Sequence, residues 1–396
     1  MRNAAQRERA SPMPSLLALS VAAVTRHTPV PELLAYIEYL PTSVRLQLFQ
    51  HMSNFRLREM EVAWEAAAHL TTPEPRDGYD PAAGDKFLFD LETQRVWEHR
   101  IKTGVPGGSP IPIQNTSAAK GRRRNYRPVF WEQQFRMLLR LRTPLDTSNT
   151  NDALKESMNL FADAVEVLKV HGREVCEDNV ELLLSLRRLR RLEVHHPEQH
   201  NTCWVSMKRL MQSHPSLTEL GFFHGKLSDA QLLQIRQTLT EPSAPTAITT
   251  LEFVSVKIRP EGYRHLVVLV SEMPRLEQLR LSNTVTDFDT NLLVDAALRG
   301  PKLQRLFVEH NELGDEAFAG LSKMRTPLAL RHLRLSDNAV SATTLGAICS
   351  ASMDGVLNLE KLELANNLRI GDPGIHALTP MLASPSAGPA VLTHLD

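Results

Sequence analysis

Leu303-Gln304-Arg305-Leu306-Phe307-Val308, Leu330-Arg331-His332-Leu333-Arg334-Leu335 and Leu359-Glu360-Lys361-Leu362-Glu363-Leu364 write one frame three times: leucine, two variable residues, leucine, one variable residue, a third apolar residue. Toward the N-terminus the frame recurs at Leu276-Leu279-Leu281, Ile248-Leu251-Phe253, Leu217-Leu220-Phe222 and Leu189-Leu192-Val194. Successive copies start 28, 31, 28, 27, 27 and 29 residues apart, a period that marks a stacked array. A short strand takes the alternating apolar pair, and the rest of each copy has room for a helix, as in Gly314–Leu321 and Ser341–Ile348. One copy cannot cover its own leucines, so neighbours must stack to supply the missing wall. The expected fold is α/β: a solenoid of strand-helix repeats of about 28 residues over 189–396, preceded by an α-helical N-terminal module.

Asn311, Asn338 and Asn367 stand just after the strand, where a short amide can bond the turning backbone. Thr284, Val256 and Gly225 hold the equivalent places in earlier copies, which are less regular. Gly314-Asp315 and Gly371-Asp372 follow two of the asparagines. In these features the C-terminal half resembles leucine-rich repeats of the ribonuclease-inhibitor type, whose known period is about 20–29 residues. That resemblance implies a curved strand surface for binding another protein. Leu392-Thr393-His394-Leu395-Asp396 opens a further copy, so the last repeat reads as cut short.

Residues Ser15 to Trp64 contain no glycine and carry proline only at connection points, Pro29, Pro31 and Pro41, which predicts helices joined by turns. Leu16, Ser20 and Val24 fall at i, i+4 and i+8 and share one helical face. The run Ser15-Leu16-x-x-x-Ser20-x-x-x-Val24 resembles the BC box by which substrate receptors of elongin-containing ubiquitin ligases dock elongin C, although that family favours cysteine where Ser20 stands. Leu40-Pro41-x-x-Val44-x-x-x-Leu48 resembles the cullin box that follows it. Glu61, Val96-Trp97-Glu98-His99-Arg100 and Trp131-Glu132-Gln133-Gln134-Phe135 resemble the region after the BC box in elongin A. These resemblances imply Leu16 in an apolar pocket of elongin C with Ser20 and Val24 beside it, and Pro41, Val44 and Leu48 toward a cullin. The repeats would then present Glu309, His310, Arg334 and Glu363 to a substrate protein. The alternative is a plain scaffold, in which Leu16, Leu19 and Val24 form the core face of a helix capping the solenoid. A GTPase activator of the Ran class shares only the solenoid, and the acidic tail of that group is absent.

The expected organisation is a disordered tail 1–14, the boxed helical module 15–64, a linker 65–86, helices over 87–142 with a flexible insertion 103–126, a helical cap 143–188, and the repeats.

Composition bounds the rest. The 45 basic and 45 acidic residues cancel, so no global field draws nucleic acid. Cys176, Cys203 and Cys349 are too widely spaced for a C-x-x-C pair and suit a reducing compartment, and no apolar run is long enough to span a bilayer. Arg2, Arg7 and Arg9 before Leu16 to Val24 resemble a presequence, but Glu8, Pro12 and Pro14 interrupt it and the apolar pattern continues through Leu33, Leu34 and Ile37. Lys120-Gly121-Arg122-Arg123-Arg124 reads as a solvated loop or a nuclear-import patch, and Arg187 to Arg191 as the solvent face of a strand and its approach. A cytoplasmic or nuclear protein is expected. His195-His196-Pro197-Glu198-Gln199-His200 has metal-ligand residue types without paired helical spacing, so a loop is favoured over a site. No phosphate-binding, nucleophile-elbow or zinc-protease motif occurs, and neither catalysis nor a cofactor is expected.

Overall fold

A computed structural model describes residues 16–37, 39–70, 126–141, 158–198, 203–241, 247–273, 275–284, 290–383 and 394–395. The tail 1–14, most of the expected linker, the 103–125 insertion with its basic run, Val96–Arg100, and 143–157 lie outside these residues. The chain divides into two compact units, 1–134 and 135–396.

The first unit holds helices α1 (Leu16–His27), α2 (Val30–Ile37), α3 (Thr42–His51), α4 (Asn54–Leu70) and the first half of α5 (Tyr126–Leu141). Pro41 stands at the N-cap of α3, where its missing N–H costs no helical bond. α1 packs on α3 and α2 on α4. Val21, Leu33, Ile37, Leu48, Phe49, Leu57, Met60 and Phe130 are buried. Trp131, also buried, donates its indole N–H to Glu61 at 3.1 Å, and Arg58 meets the same carboxylate oxygen at 3.0 Å. Arg58 and Glu61 are each 1% exposed, so this ion pair sits inside the apolar core and ties α4 to α5. α4 also runs to Leu70, past the expected boundary at 64.

Among the described residues, the second unit is built on nine parallel strands in sequence order. They are β1 (Val167–His171), β2 (Arg191–His195), β3 (Glu219–Leu227), β4 (Thr250–Ile258), β5 (Gln278–Ser282), β6 (Arg305–Glu309), β7 (His332–Arg334), β8 (Lys361–Glu363) and β9 (His394–Leu395). The returning helices are α6 (Glu177–Leu184), α7 (Cys203–Ser213), α8 (Asp229–Thr240), α9 (Pro260–Glu272), α10 (Thr290–Leu298), α11 (Ala342–Met353) and α12 (Gly371–Ala383). This is a leucine-rich-repeat-like solenoid of α/β class following a helical region. The frame leucines stack in register, Leu192 on Leu220, Leu251, Leu279, Leu306, Leu333 and Leu362, and all are buried. Removing one such leucine side chain costs about 2–5 kcal/mol.

Two departures from the sequence reading have physical causes. The sheet starts one strand early, inside the expected cap, because Val165, Leu168 and Val170 fill the frame with valines at its ends and are fully buried. Leu168 pairs with Leu192 as the later frame leucines pair. The second departure is at Gly314–Leu321, where two 3-10 turns, Asp315–Phe318 and Leu321–Lys323, replace the expected α-helix. Asp315 there accepts hydrogen bonds from Ser341 N, Ser341 Oγ and Thr344 Oγ1 at 2.6–2.8 Å, so it caps the next repeat's helix.

The corners after the strands also repeat. His196, His224, Ser255, Asn283, His310, Asp337 and Asn366 take left-handed backbone with φ between 49° and 62°. Beyond that corner, Asn311 donates to Leu281 O and Glu309 O, Asn338 to Val308 O and Leu335 O, and Asn367 to Leu335 O and Leu364 O. The Asn311 carbonyl accepts from Thr284 N, and that of Asn338 from Asn311 N and Leu313 N. Thr284 substitutes with its hydroxyl, donating to Phe253 O and Ser282 O. Where Gly225 and Val256 stand instead, β3 and β4 run on for nine residues each and pair again beyond the corner, Gly225 with Val256 and Leu227 with Ile258. A backbone ladder there replaces the side-chain amides.

Candidate protein-binding surface

Strand alternation sends the frame leucines inward and leaves the residues between them on the opposite, open face of the sheet. Neighbours on this face lie about 28 residues apart in sequence, as with Lys169, Glu193, Gly221, Glu252, Arg280, Phe307, Arg334 and Glu363.

On β1 to β4 the centre is Arg191. Its guanidinium meets Glu252 at 2.8 Å, Glu193 at 2.8 Å and Glu219 at 3.0 Å, and Lys169 reaches Glu193 at 3.2 Å. Arg191 is thus partly covered by carboxylates on the open face, whereas Arg187 and Arg188 of the same basic run are exposed. Burial alone would raise the Glu193 carboxyl, but its hydrogen bond with His195 and the charges of Lys169 and Arg191 bring it down to about 2. Burial would lower the Arg191 guanidinium, but Glu252 and Glu193 push it above its usual value.

At the corner end of these strands, four imidazoles gather. His171 stacks on His196 at 5.7 Å, His195 lies 5.8 Å from His224, and Phe223 stacks on His195 at 5.2 Å. Gly221 leaves the space that the Phe223 ring covers. Burial first, then His195 and His196, lower the His224 pKa. His200 lies outside the described residues, and among those described no group of three or more histidine, cysteine or acidic side chains has metal-binding geometry.

On β5 to β8 the arrangement inverts. Glu309 is bridged by Arg280 at 3.0 Å and Arg334 at 3.1 Å, while Glu363 accepts Arg334 at 2.6 Å, Lys361 at 2.7 Å and His332 at 2.8 Å. Both carboxylates are 7% exposed, so what faces outward is the cations. Burial opposes ionisation of Glu363, but Arg334, Lys361 and His332 hold it at about 2. Burial, with the charges of Lys361 and Arg334, lowers the His332 pKa against the pull of Glu363. Phe307 lies among them, with the Arg334 guanidinium 5.2 Å above its ring and the His332 ring edge-on at 4.6 Å.

The residues singled out from sequence fall as follows. Arg334 lies on the open face, partly exposed, whereas Glu309 and Glu363 sit beneath their basic partners. His310 is at the exposed left-handed corner, 3.5 Å from Asp337. In the helical unit, Ser20 and Val24 are exposed on α1 while Val21 and Thr25 are buried; the Leu16 side chain is outside the described residues. Pro41 is exposed, Val44 is half-buried, and Leu48 is 3% exposed in the core. Sequence reasoning missed Arg280, Arg305, Phe307, His332 and Lys361. The signal that finds them is the column formed when the variable frame positions are stacked copy on copy.

No protein-family model matches the chain, and no curated protein is significantly similar to it. Among the described residues no helix is long and apolar enough to cross a membrane.

Proposed function

We propose that this chain is a non-catalytic adaptor, a substrate receptor of an elongin-cullin ubiquitin ligase, working in the cytoplasm or nucleus. The helical unit docks elongin C through Leu16, Ser20 and Val24 and turns Pro41 and Val44 toward a cullin, with Leu48 fixing α3 from within. The leucine-rich repeats, of the ribonuclease-inhibitor type, hold the substrate near the ligase, so the contribution is proximity. The observation that carries this reading is the division of α1: Val21 and Thr25 pack inward, while Ser20 and Val24 of the BC-box-like face remain open to solvent. The pairing of Glu61 with Trp131 adds support, because both belong to the stretch that resembles elongin A.

Co-purification of elongin C with the full chain, compared with Leu16→Ala, tests the proposal. Capture by the wild type and its loss in the variant are expected; a wild-type chain that never retains elongin C removes the ligase role and leaves the scaffold, which the open sheet face also suits.

A further inference from the structure

We infer that the β5 to β8 half of the open sheet face binds an acidic segment of a partner protein, with one apolar side chain of that segment seated on Phe307. This rests on the reading that the open face receives the substrate. The outward groups here are Arg280, Arg305, Arg334, Lys361 and His332, whereas the only acidic side chains among the strand positions of this half, Glu309 and Glu363, are sealed beneath them. Arg305 is exposed and, among the described residues, its guanidinium has no carboxylate partner. Arg280 and Arg334 each retain about a third of their side-chain exposure after pairing with Glu309. An arginine has five N–H donors, so guanidinium edges remain for carboxylates arriving from outside. Phe307, half-buried between Arg334 and His332, gives the patch an apolar centre with cations around it.

Dimensions set the size of the occupant. Four strands at a spacing of about 4.8 Å span roughly 14 Å, the reach of four or five extended residues at about 3.3 Å each. The neighbouring half sets its class. A phosphate backbone long enough to hold the patch would continue onto the neighbouring half, where Lys169, Arg190 and Arg191 are already matched by Glu193, Glu219 and Glu252 and leave no surplus positive charge. A short acidic peptide ends before it meets them. Ionic attraction of this kind contributes most to association rate and specificity, and it weakens as salt screens it.

The test is fluorescence anisotropy on the full chain with a labelled five-residue peptide of four glutamates around one central phenylalanine. Saturable binding is expected at low salt, weakening about tenfold by 0.3 M salt. Arg305→Glu should weaken binding about tenfold and Phe307→Ala about fivefold, whereas Lys257→Glu, an equal charge reversal on exposed β4, should change it less than about twofold. The Arg305 side chain has no carboxylate partner among the described residues, so its variant should melt as the wild type does; Arg305→Gln gives a milder second reading. Unchanged binding in Arg305→Glu, equal binding of a lysine peptide, or tighter binding of a twelve-nucleotide single-stranded RNA each overturns the inference. Failure to retain elongin C while the glutamate peptide still binds defeats the ligase reading alone, and the opposite pattern defeats only this one.

Discussion

The two halves of the solenoid share a leucine frame and a strand register, yet they solve two problems in opposite ways. On β1 to β4 one arginine, Arg191, is surrounded by Glu193, Glu219 and Glu252. On β5 to β8 two carboxylates are surrounded by Arg280, Arg334, Lys361 and His332. The turns differ as well, closed by resumed strand pairing after β3 and β4 and by Thr284 and the asparagines thereafter. Inward positions decide that a repeat stacks, and the outward positions are then free to reverse their charge without disturbing it.

Removing the central cation from each half should separate them most. Arg191→Met takes from Glu193 and Glu252, 7% and 4% exposed, the guanidinium they share, and should lower stability by about 3 kcal/mol. Arg334→Met leaves Arg280 on Glu309 and Lys361 on Glu363, and should cost about 1 kcal/mol. Denaturant midpoints check the order, and equal losses would erase the electrostatic contrast. Asn338→Ala is next. It strips Val308 O, Leu335 O, Asn311 N and Leu313 N of a buried partner and should cost about 2–3 kcal/mol, measured the same way. A loss below about 0.5 kcal/mol would show that the turns do not depend on the amides.

The smallest effect is the response to acid. Burial lowers the pKa values of His214, His224 and His332, so the unfolded chain takes up protons first. Their contribution is complete above pH about 6.5 and declines as pH falls below it. Glu193 and Glu363, held at about 2, add a second loss as pH falls from about 4.5 toward 2. The melting temperature should therefore drop between pH 7.5 and 5.5, and drop less in His224→Gln; a rise on acidification contradicts the assignment.

Much of the fold was legible because leucine periodicity is local. The seven frames are strands β2 to β8, and the short one at 392–395 supplies β9. β1 escaped because a leucine-first search passes over Val165 and Val170. The 3-10 turns escaped because Asp315 serves the following repeat, a role invisible within its own segment. The open face was less legible. Glu309 looks like a protruding contact until Arg280 and Arg334, 29 and 25 residues away, are seen to bury it. The left-handed corners share a backbone angle without sharing a residue type: histidine, serine, asparagine and aspartate all take it.

The asparagine ladder also has a direction. Asn311 and Asn338 satisfy groups of the preceding repeat, Thr284 N with Leu281 O and Asn311 N with Val308 O, so each turn is completed by its successor. Peeling a repeat from the C-terminal side strips the one before it, whereas peeling from the other side leaves Asn338 bonded within its own turn through Leu335 O and Ser336 O. Stretched between its ends, this part of the molecule should behave as a one-way fastener. It should unravel from the C-terminal side in steps of about 90 Å, the contour of one 27-residue period.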